Sequence, residues 1–282
     1  MTEQSSMEGW QELAPHKIGE IYARLEVAVW QMQQLRSEAD TAFDKSAALS
    51  ANVVAAVGAA LRDEPAPART DGTPEHDLVE VKLERDQAEF VLEVTEDMHV
   101  NSSQHFPAML AEMCLVTLFA RYDAFISDLL ACVYRARPEF LRSGKQITYE
   151  AVLGASSLDQ LREDLIHRDI QDWRMPLRTQ LVRFEERFGI EILSDDGIDA
   201  LVDASEKRHL FVHRGGKIDA RYLNAVPNSQ LAEGTKLVVD ADYCESIAKL
   251  LLNLSYGIAS KVSAHCIGRP IEVPAPAKMV LK

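Results

Sequence analysis

Between Met109 and Arg137 the sequence leaves almost no polar face. A helix that is apolar on most of its circumference has to be surrounded by other chain, so this stretch predicts a central, buried helix with further helices packed around it. Pro107 stands where the first helical turn would begin, and Pro138 closes the segment. Arg121, Asp123 and Asp128 interrupt the apolar run, and a buried charge needs a partner. Either Arg121 and Asp128 lie on an exposed stripe or Asp123 reaches a basic cluster elsewhere, for which Arg208 is the candidate.

The rest of the chain reads as helices joined by breakers. Ile18, Ile21, Leu25, Ala28, Val29, Met32 and Leu35 recur at helical spacing, predicting one amphipathic helix over residues 16–43. An Ala-rich second helix over 47–61 would complete a hairpin, so residues 1–63 are expected as an N-terminal helical extension. Residues 64–76, rich in Pro, Gly and Asp, read as a linker or mobile loop. Residues 77–100 fit strand and helix patterns, with helix favoured by the helical surroundings. Ser157 to Gln160 reads as a cap, and 172–188 as a helix bearing Arg174, Arg178, Arg183 and Arg187. That Arg stripe could hold RNA, or be a solvated face balanced by Glu185 and Glu186. Ser194 to Gly197 is expected to cap the next helix, 227–234 to be a loop, and 236–239 to be extended. Asp240 is placed to cap a last helix with Cys244, Ile247, Ala248, Leu251, Leu254 and Ile258 on its apolar face. Residues 77–265 are expected as the main helical bundle. The Pro-rich 266–282 segment is an irregular, loosely held tail.

Composition narrows the function classes. Hydrophobic residues make up 47% and charged residues 26%, as in ordinary globular proteins, and no apolar run reaches the length of a membrane span. The first residues lack a basic segment followed by an apolar core, so a cytoplasmic location is expected and no membrane partner. Cys114, Cys132, Cys244 and Cys266 are far apart, which suggests buried thiols. A net charge of −14 argues against a chain coated in nucleic acid. Locally the sign reverses, because Lys207, Arg208, Arg214, Lys217 and Arg221 are opposed only by Glu206 and Asp219. A small basic pocket on an acidic body fits one RNA element or a phosphate-bearing small ligand.

Those basic residues surround a helix end. Ile198, Leu201, Val202, Ser205 and Val212 keep helical spacing and Gly215-Gly216 is a C-cap signal, so His213 is expected in the last turn. The C-terminal end of a helix dipole suits a proton-donating imidazole there. Arg208 and His213 are five residues apart, roughly 140° around an ideal helix, so they would meet only if the helix loosens or two subunits combine. His209, His213 and Glu206 do share a face and could form a two-His, one-carboxylate metal site. His-Glu-x-x-His, Walker and Gly-x-Ser-x-Gly motifs do not occur.

Arg208-His209-x-x-x-His213, with Leu210, Phe211 and Val212 between and a Gly-containing turn after, resembles the signature of HEPN-type endoribonucleases. The family usually has Asn where His209 stands. The Leu118 to Phe125 stretch with Asp123, the segment ending Phe188-Gly189-Ile190 and the run from Ile218 to Leu223 are also similar. The resemblance spans about residues 105–262 and leaves out the N-terminal third. It implies an all-α, HEPN-like helical bundle that acts as a homodimer and cleaves RNA, tRNA or mRNA among the candidates, with no metal or other cofactor. In such a dimer two motif helices form one composite site. His213 would serve as acid/base and Arg208 as phosphate ligand, with His209, Asp123 and Glu206 auxiliary and Lys207, Arg214, Lys217 and Arg221 binding RNA. The ribose 2′-OH would attack the adjacent phosphorus while protein groups accept and donate protons. The setting implied is a toxin or phage-defence system with an antitoxin or similar partner protein. The alternative is a non-catalytic helical module that binds RNA, a nucleotide or a protein through the same pocket.

Overall fold

Apolar residues in α3 (Phe106–Ala136) organise one of the two units into which the chain divides. The computed structural model describes residues 3–65, 68, 82–141, 146–193, 197–227 and 229–274. Among these residues the protein is all-α, with no strand and a single isolated bridge between Lys217 and Lys236. No helix there is long and apolar enough to cross a membrane.

The first unit comprises Met1–Trp30, Leu115–Leu237 and Glu245–Lys282. From Leu115 onward α3 is buried on most sides, through Leu118, Tyr122, Phe125, Ile126, Leu129, Leu130 and Val133. The early part of α1 (Glu3–Leu61) buries Ile18, Ile21, Leu25 and Val29, and α9 (Ala241–Val262) buries Ile247, Leu251, Leu254 and Ile258, each at helical spacing. Tyr22 meets Tyr256 edge to face at 5.4 Å, and Arg24 pairs with Asp128 at 3.1 Å. Arg121 and Asp128 are exposed, as one of the two sequence readings had it. α4 (Tyr149–Gly154) and α5 (Leu158–Gln171) follow, the latter capped by the Ser157 side chain. A buried Asp169 in α5 accepts from Tyr134 Oη and Trp173 Nε1, and its charge is met by Arg187 at 3.4 Å. That network fixes an aromatic cluster of Trp173, Phe184 and Phe188.

The second unit comprises Gln31–Cys114 and Val238–Cys244. The later part of α1 runs beside α2 (Arg85–Val100), with Ser46 and Ser102 hydroxyls at 2.9 Å and Phe43 against Phe106 at 5.7 Å. α2 buries no residue of its own.

Five sequence expectations need correction. The hairpin over residues 1–63 does not form: α1 is one helix of 59 residues. No Gly or Pro stands between Phe43 and Ala47, and Ser46 and Ser50 satisfy their hydroxyls within or beside the helix, so nothing breaks it. Pro107 stands in the first turn of α3 as expected, but that turn does not start a separate helix. Helical backbone continues through a π turn, Asn101–His105, which widens the coil where Pro107 withdraws an N–H. The helix expected over 172–188 is only α6 (Leu177–Phe188), with Pro176 as its N-cap; proline disfavours helical geometry at the residue before it. The N-cap of α7 (Ile198–Arg214) is Gly197 in a left-handed conformation without a side-chain bond, and residues 194–196 lie outside the described residues. The tail is not loose as far as residue 274. Glu272 N–H donates to the Pro15 carbonyl at 3.3 Å, and the Glu272 carbonyl lies over Gly19, where a Cβ would come within 2.0 Å of it. Of the expected linker, residues 66, 67 and 69–76 lie outside the described residues, as do 77–81. From Arg85 the helical alternative holds for the ambiguous segment, and Asp240 caps α9 through Tyr243 N–H at 2.8 Å.

Candidate functional site

α7 carries the motif, and its ends determine where the motif points. Ile198, Leu201, Val202, Ala204 and Leu210 form its buried face. Gly215 takes the left-handed conformation at φ 59°, and Gly216 N–H returns to the Leu210 carbonyl at 3.1 Å, closing the helix as the Gly-Gly signal predicts. His213 is therefore in the last turn. The chain then turns into the short α8 (Ala220–Ala225), capped by Asp219 through Tyr222 N–H at 2.9 Å. This return brings Arg221 back against α7.

A cavity of about 640 Å³, open to solvent on one side, is lined by α3, the end of α5, the α5–α6 link, α6, α7 and α8. α3 contributes Asp123, the link from α5 to α6 contributes Trp173, Arg174, Met175 and Pro176, and α7 contributes Glu206, Arg208 and His209, with Arg221 from α8. Arg208 Nη2 donates to Asp123 Oδ2 at 2.9 Å, the pairing that one of the two readings of Asp123 required. Arg221 Nη1 reaches His209 Nε2 at 2.6 Å, and its Nη2 lies 3.4 Å from Glu206 Oε2. Glu206 is buried at 5% exposure, so Arg221 supplies the counter-charge it needs.

Electrostatics separate these groups. Burial first, and then the positive charge of Arg221, holds the His209 pKa below the usual histidine value. At Asp123, desolvation in the cavity raises the pKa above the usual carboxylate value and outweighs the pull of Arg208. Three guanidiniums, Arg174, Arg208 and Arg221, face two carboxylates in the cavity wall, so the site is locally positive on an acidic chain.

The remaining candidate residues lie elsewhere. His213 does not line the cavity but is exposed, its ring 4.5 Å from that of His209. Lys207 turns to Asp203 at 2.7 Å, and Arg214 lies 3.4 Å from Asp219. Lys217 is exposed beside the bridge to Lys236. Of the five basic residues, Arg208 and Arg221 line the cavity, whereas Lys207, Arg214 and Lys217 do not. Glu206, His209 and His213 do not form a metal cage, and no group of three or more His, Cys, Asp or Glu among the described residues could hold an ion.

The Arg stripe also separates. Arg178 pairs with Asp199, Arg183 lies over the Trp173 ring at 4.6 Å, and Arg187 donates to the Phe140 carbonyl. Arg174 lines the cavity because Pro176 keeps it off α6. Tyr122 and Gln180, which the sequence reading had passed over, also line it. Their only sequence signal is position, since Tyr122 precedes Asp123 and Gln180 lies one turn into α6. No protein-family model, no curated protein and no solved structure matches the chain, so every statement of function rests on its own residues.

Proposed function

We propose that the protein is a metal-independent endoribonuclease of the HEPN type, acting as a homodimer in a toxin or phage-defence setting. The observation that carries the reading is the C-terminal end of α7. Arg208 is held by Asp123 at a positive cavity, and a solvent-exposed His213 stands one turn further on, beside His209. An exposed imidazole at a helix end can exchange protons with a polynucleotide that no enclosed pocket could admit. Arg208 and His213 do not share one cavity within a protomer, which is the arrangement a composite site requires. Two antiparallel copies of α7 would combine two histidines for proton transfer with two guanidiniums for the phosphate.

Purified protein is to be incubated with total tRNA and a structured RNA in excess EDTA, alongside His213→Ala, and the product ends analysed. The expected result is cleavage that leaves 2′,3′-cyclic phosphates, reduced about 10²–10⁴-fold in the variant. Undiminished cleavage by His213→Ala removes the assignment, and loss of cleavage in EDTA removes the metal-free chemistry.

One observation favours a second reading. Arg208, His209 and Arg221 line a cavity that His213 does not, so recognition could proceed without proton transfer. A helical recognition module would bind RNA or another phosphate-bearing ligand in a phosphate-dependent way and cleave nothing at any protein concentration.

A further inference from the structure

The second unit leaves one side of its helices uncovered. Its seam between α1 and α2 is set by the Ser46 and Ser102 hydroxyls and by His99 Nδ1, 3.0 Å from the Ala47 carbonyl, with Val54, Val57, Val91 and Thr95 half-buried along it. One residue before seam positions stand Leu49, Val53, Ala56 and Ala60 on α1, and Phe90, Val94 and Met98 on α2. Leu35 and Ala42 extend the first row, and Phe106, Met109 and Met113 of α3 extend the second beyond the π turn. One residue is roughly 100° around a helix, and in an antiparallel pair two rows that lead the seam by the same angle fall on the same side. The two rows therefore make one apolar face along the helices of this unit. Phe90 is 66% exposed, Leu35 63% and Met113 58%, and a contiguous apolar surface of this kind marks an interaction site.

Size, shape and charge of the face indicate what covers it. Leu35, Ala42, Leu49 and Ala56 recur every seven residues, the spacing of helices that supercoil around partners. The face is two helices wide, so one further helix would leave part of it in water, whereas a second pair of helices covers both rows. The α1 row is mostly small, with Ala42, Ala56 and Ala60, and the α2–α3 row is mostly large, with Phe90, Met98, Phe106, Met109 and Met113. Large against small is the packing that fills a core. Charge follows the same division. Residues 46–61 contain no charged side chain, whereas Glu89, Glu93 and Asp97 border the α2 row on its outer flank. A copy turned about an axis parallel to the helices sets each α1 row against the partner's α2–α3 row, so small meets large and the acidic flank meets an uncharged one. A copy turned the other way would oppose acid to acid.

We propose that this face is an interface between two copies of the chain, which pair their second units into a four-helix bundle with α1 of each against α2 and the start of α3 of the other. The interface is isologous, and the two copies supply the third and fourth helices that a lone pair lacks. It does not rest on the reading of α7, because every residue it uses lies in the second unit.

The test has two parts, both on the full chain. Sedimentation compares the parent with the double variant Phe90→Glu, Met98→Glu, whose sites are exposed and whose helical circular dichroism should be unchanged. The parent is expected to self-associate and the variant to do so at least about tenfold more weakly, because the interface would bury two unpaired charges in each copy. The second part keeps the face apolar. Ala56→Cys and Val94→Cys stand near one level of the unit, as the Ser46–Ser102 and Ala47–His99 pairs set its register, and the four native cysteines are buried. With a short bis-maleimide, a mixture of the two variants should give covalent dimer, and more of it than either variant alone. A monomeric parent, or equal association of parent and double variant, overturns the proposal, and the latter assigns association to another surface such as α7. Cross-linking by Ala56→Cys alone at the level of the mixture overturns the pairing of α1 with α2. A parent that stays monomeric while the face binds a basic helical peptide or phosphatidylcholine vesicles overturns the second copy as occupant. Neither readout uses RNA, so failure of the nuclease reading leaves both results unchanged.

Discussion

At His209 the two ring nitrogens stand at different distances from Arg221. Nε2 lies 2.6 Å from Arg221 Nη1, a donor that is always protonated, and Nδ1 lies 3.4 Å from the same atom, so the nearer nitrogen, Nε2, is the one placed to accept. Burial and the Arg221 charge lower the pKa, so the folded protein binds fewer protons here than the unfolded chain does. Such a group costs nothing above the unfolded value of about 6.5 and costs stability as pH falls from there through the folded value. His209→Gln is therefore expected to lose less Tm than the parent between about pH 7 and pH 5. Arg221→Ala should raise the His209 pKa while burial still keeps it low. Ring resonances followed through a pH titration check both, and a parent His209 titrating at or above the ordinary histidine value would refute the pair. At this scale the sequence reading named Arg208, His209 and Asp123, which line one cavity, but gave Lys207 and Arg221 no protein partners. Charge alone cannot tell that Lys207 turns to Asp203, or that Arg221 doubles back to His209 after a tight turn. Tyr122 and Gln180 line the cavity without a sequence pattern that marks them, since only the packing of α3 against α6 brings them there.

At the scale of elements, periodicity located most of the helices and breakers decided their ends. Gly215-Gly216, Ser157 and Asp240 close or open α7, α5 and α9 as read, since each acts within its own turn. The failures came where the deciding contact is distant in sequence. The chain between Phe43 and Ala47 remains helical because Ser46 and Ser50 find partners in or beside α1, and the tail is held because Gly19 makes room for it. That second contact gives a test in which local and long-range effects oppose each other. Ala has a higher helix propensity than Gly by about 1 kcal/mol, so Gly19→Ala should stabilise α1 taken alone. In the folded chain its Cβ would fall 2.0 Å from the Glu272 carbonyl, a contact that backbone cannot absorb without moving. The variant is expected to release residues 270–274 and to lower rather than raise Tm. Hydrogen exchange at Glu272, whose N–H bonds to Pro15, reports the release. Unchanged protection together with a higher Tm would mean that the tail does not depend on Gly19.

For the molecule as a whole, the proposed chemistry makes activity depend on association. A chain with a net charge of −14 repels its own copy at long range, so pairing of two protomers has to rely on local contacts and should tighten with salt. If two α7 ends together supply acid, base and phosphate clamp, a lone protomer has only one histidine and one guanidinium for the reaction. The rate of RNA cleavage per protomer should then rise with protein concentration and level off above the dimer dissociation constant measured by sedimentation. At concentrations well below that constant it should fall in proportion to the dimer fraction. Mixing parent with excess His213→Ala should depress the parent rate by drawing it into mixed pairs that lack one proton-transfer group. A per-protomer rate that stays constant on dilution through the dissociation range, and is indifferent to the variant, would show that one protomer suffices and would place the reaction in the cavity beside Arg208 instead.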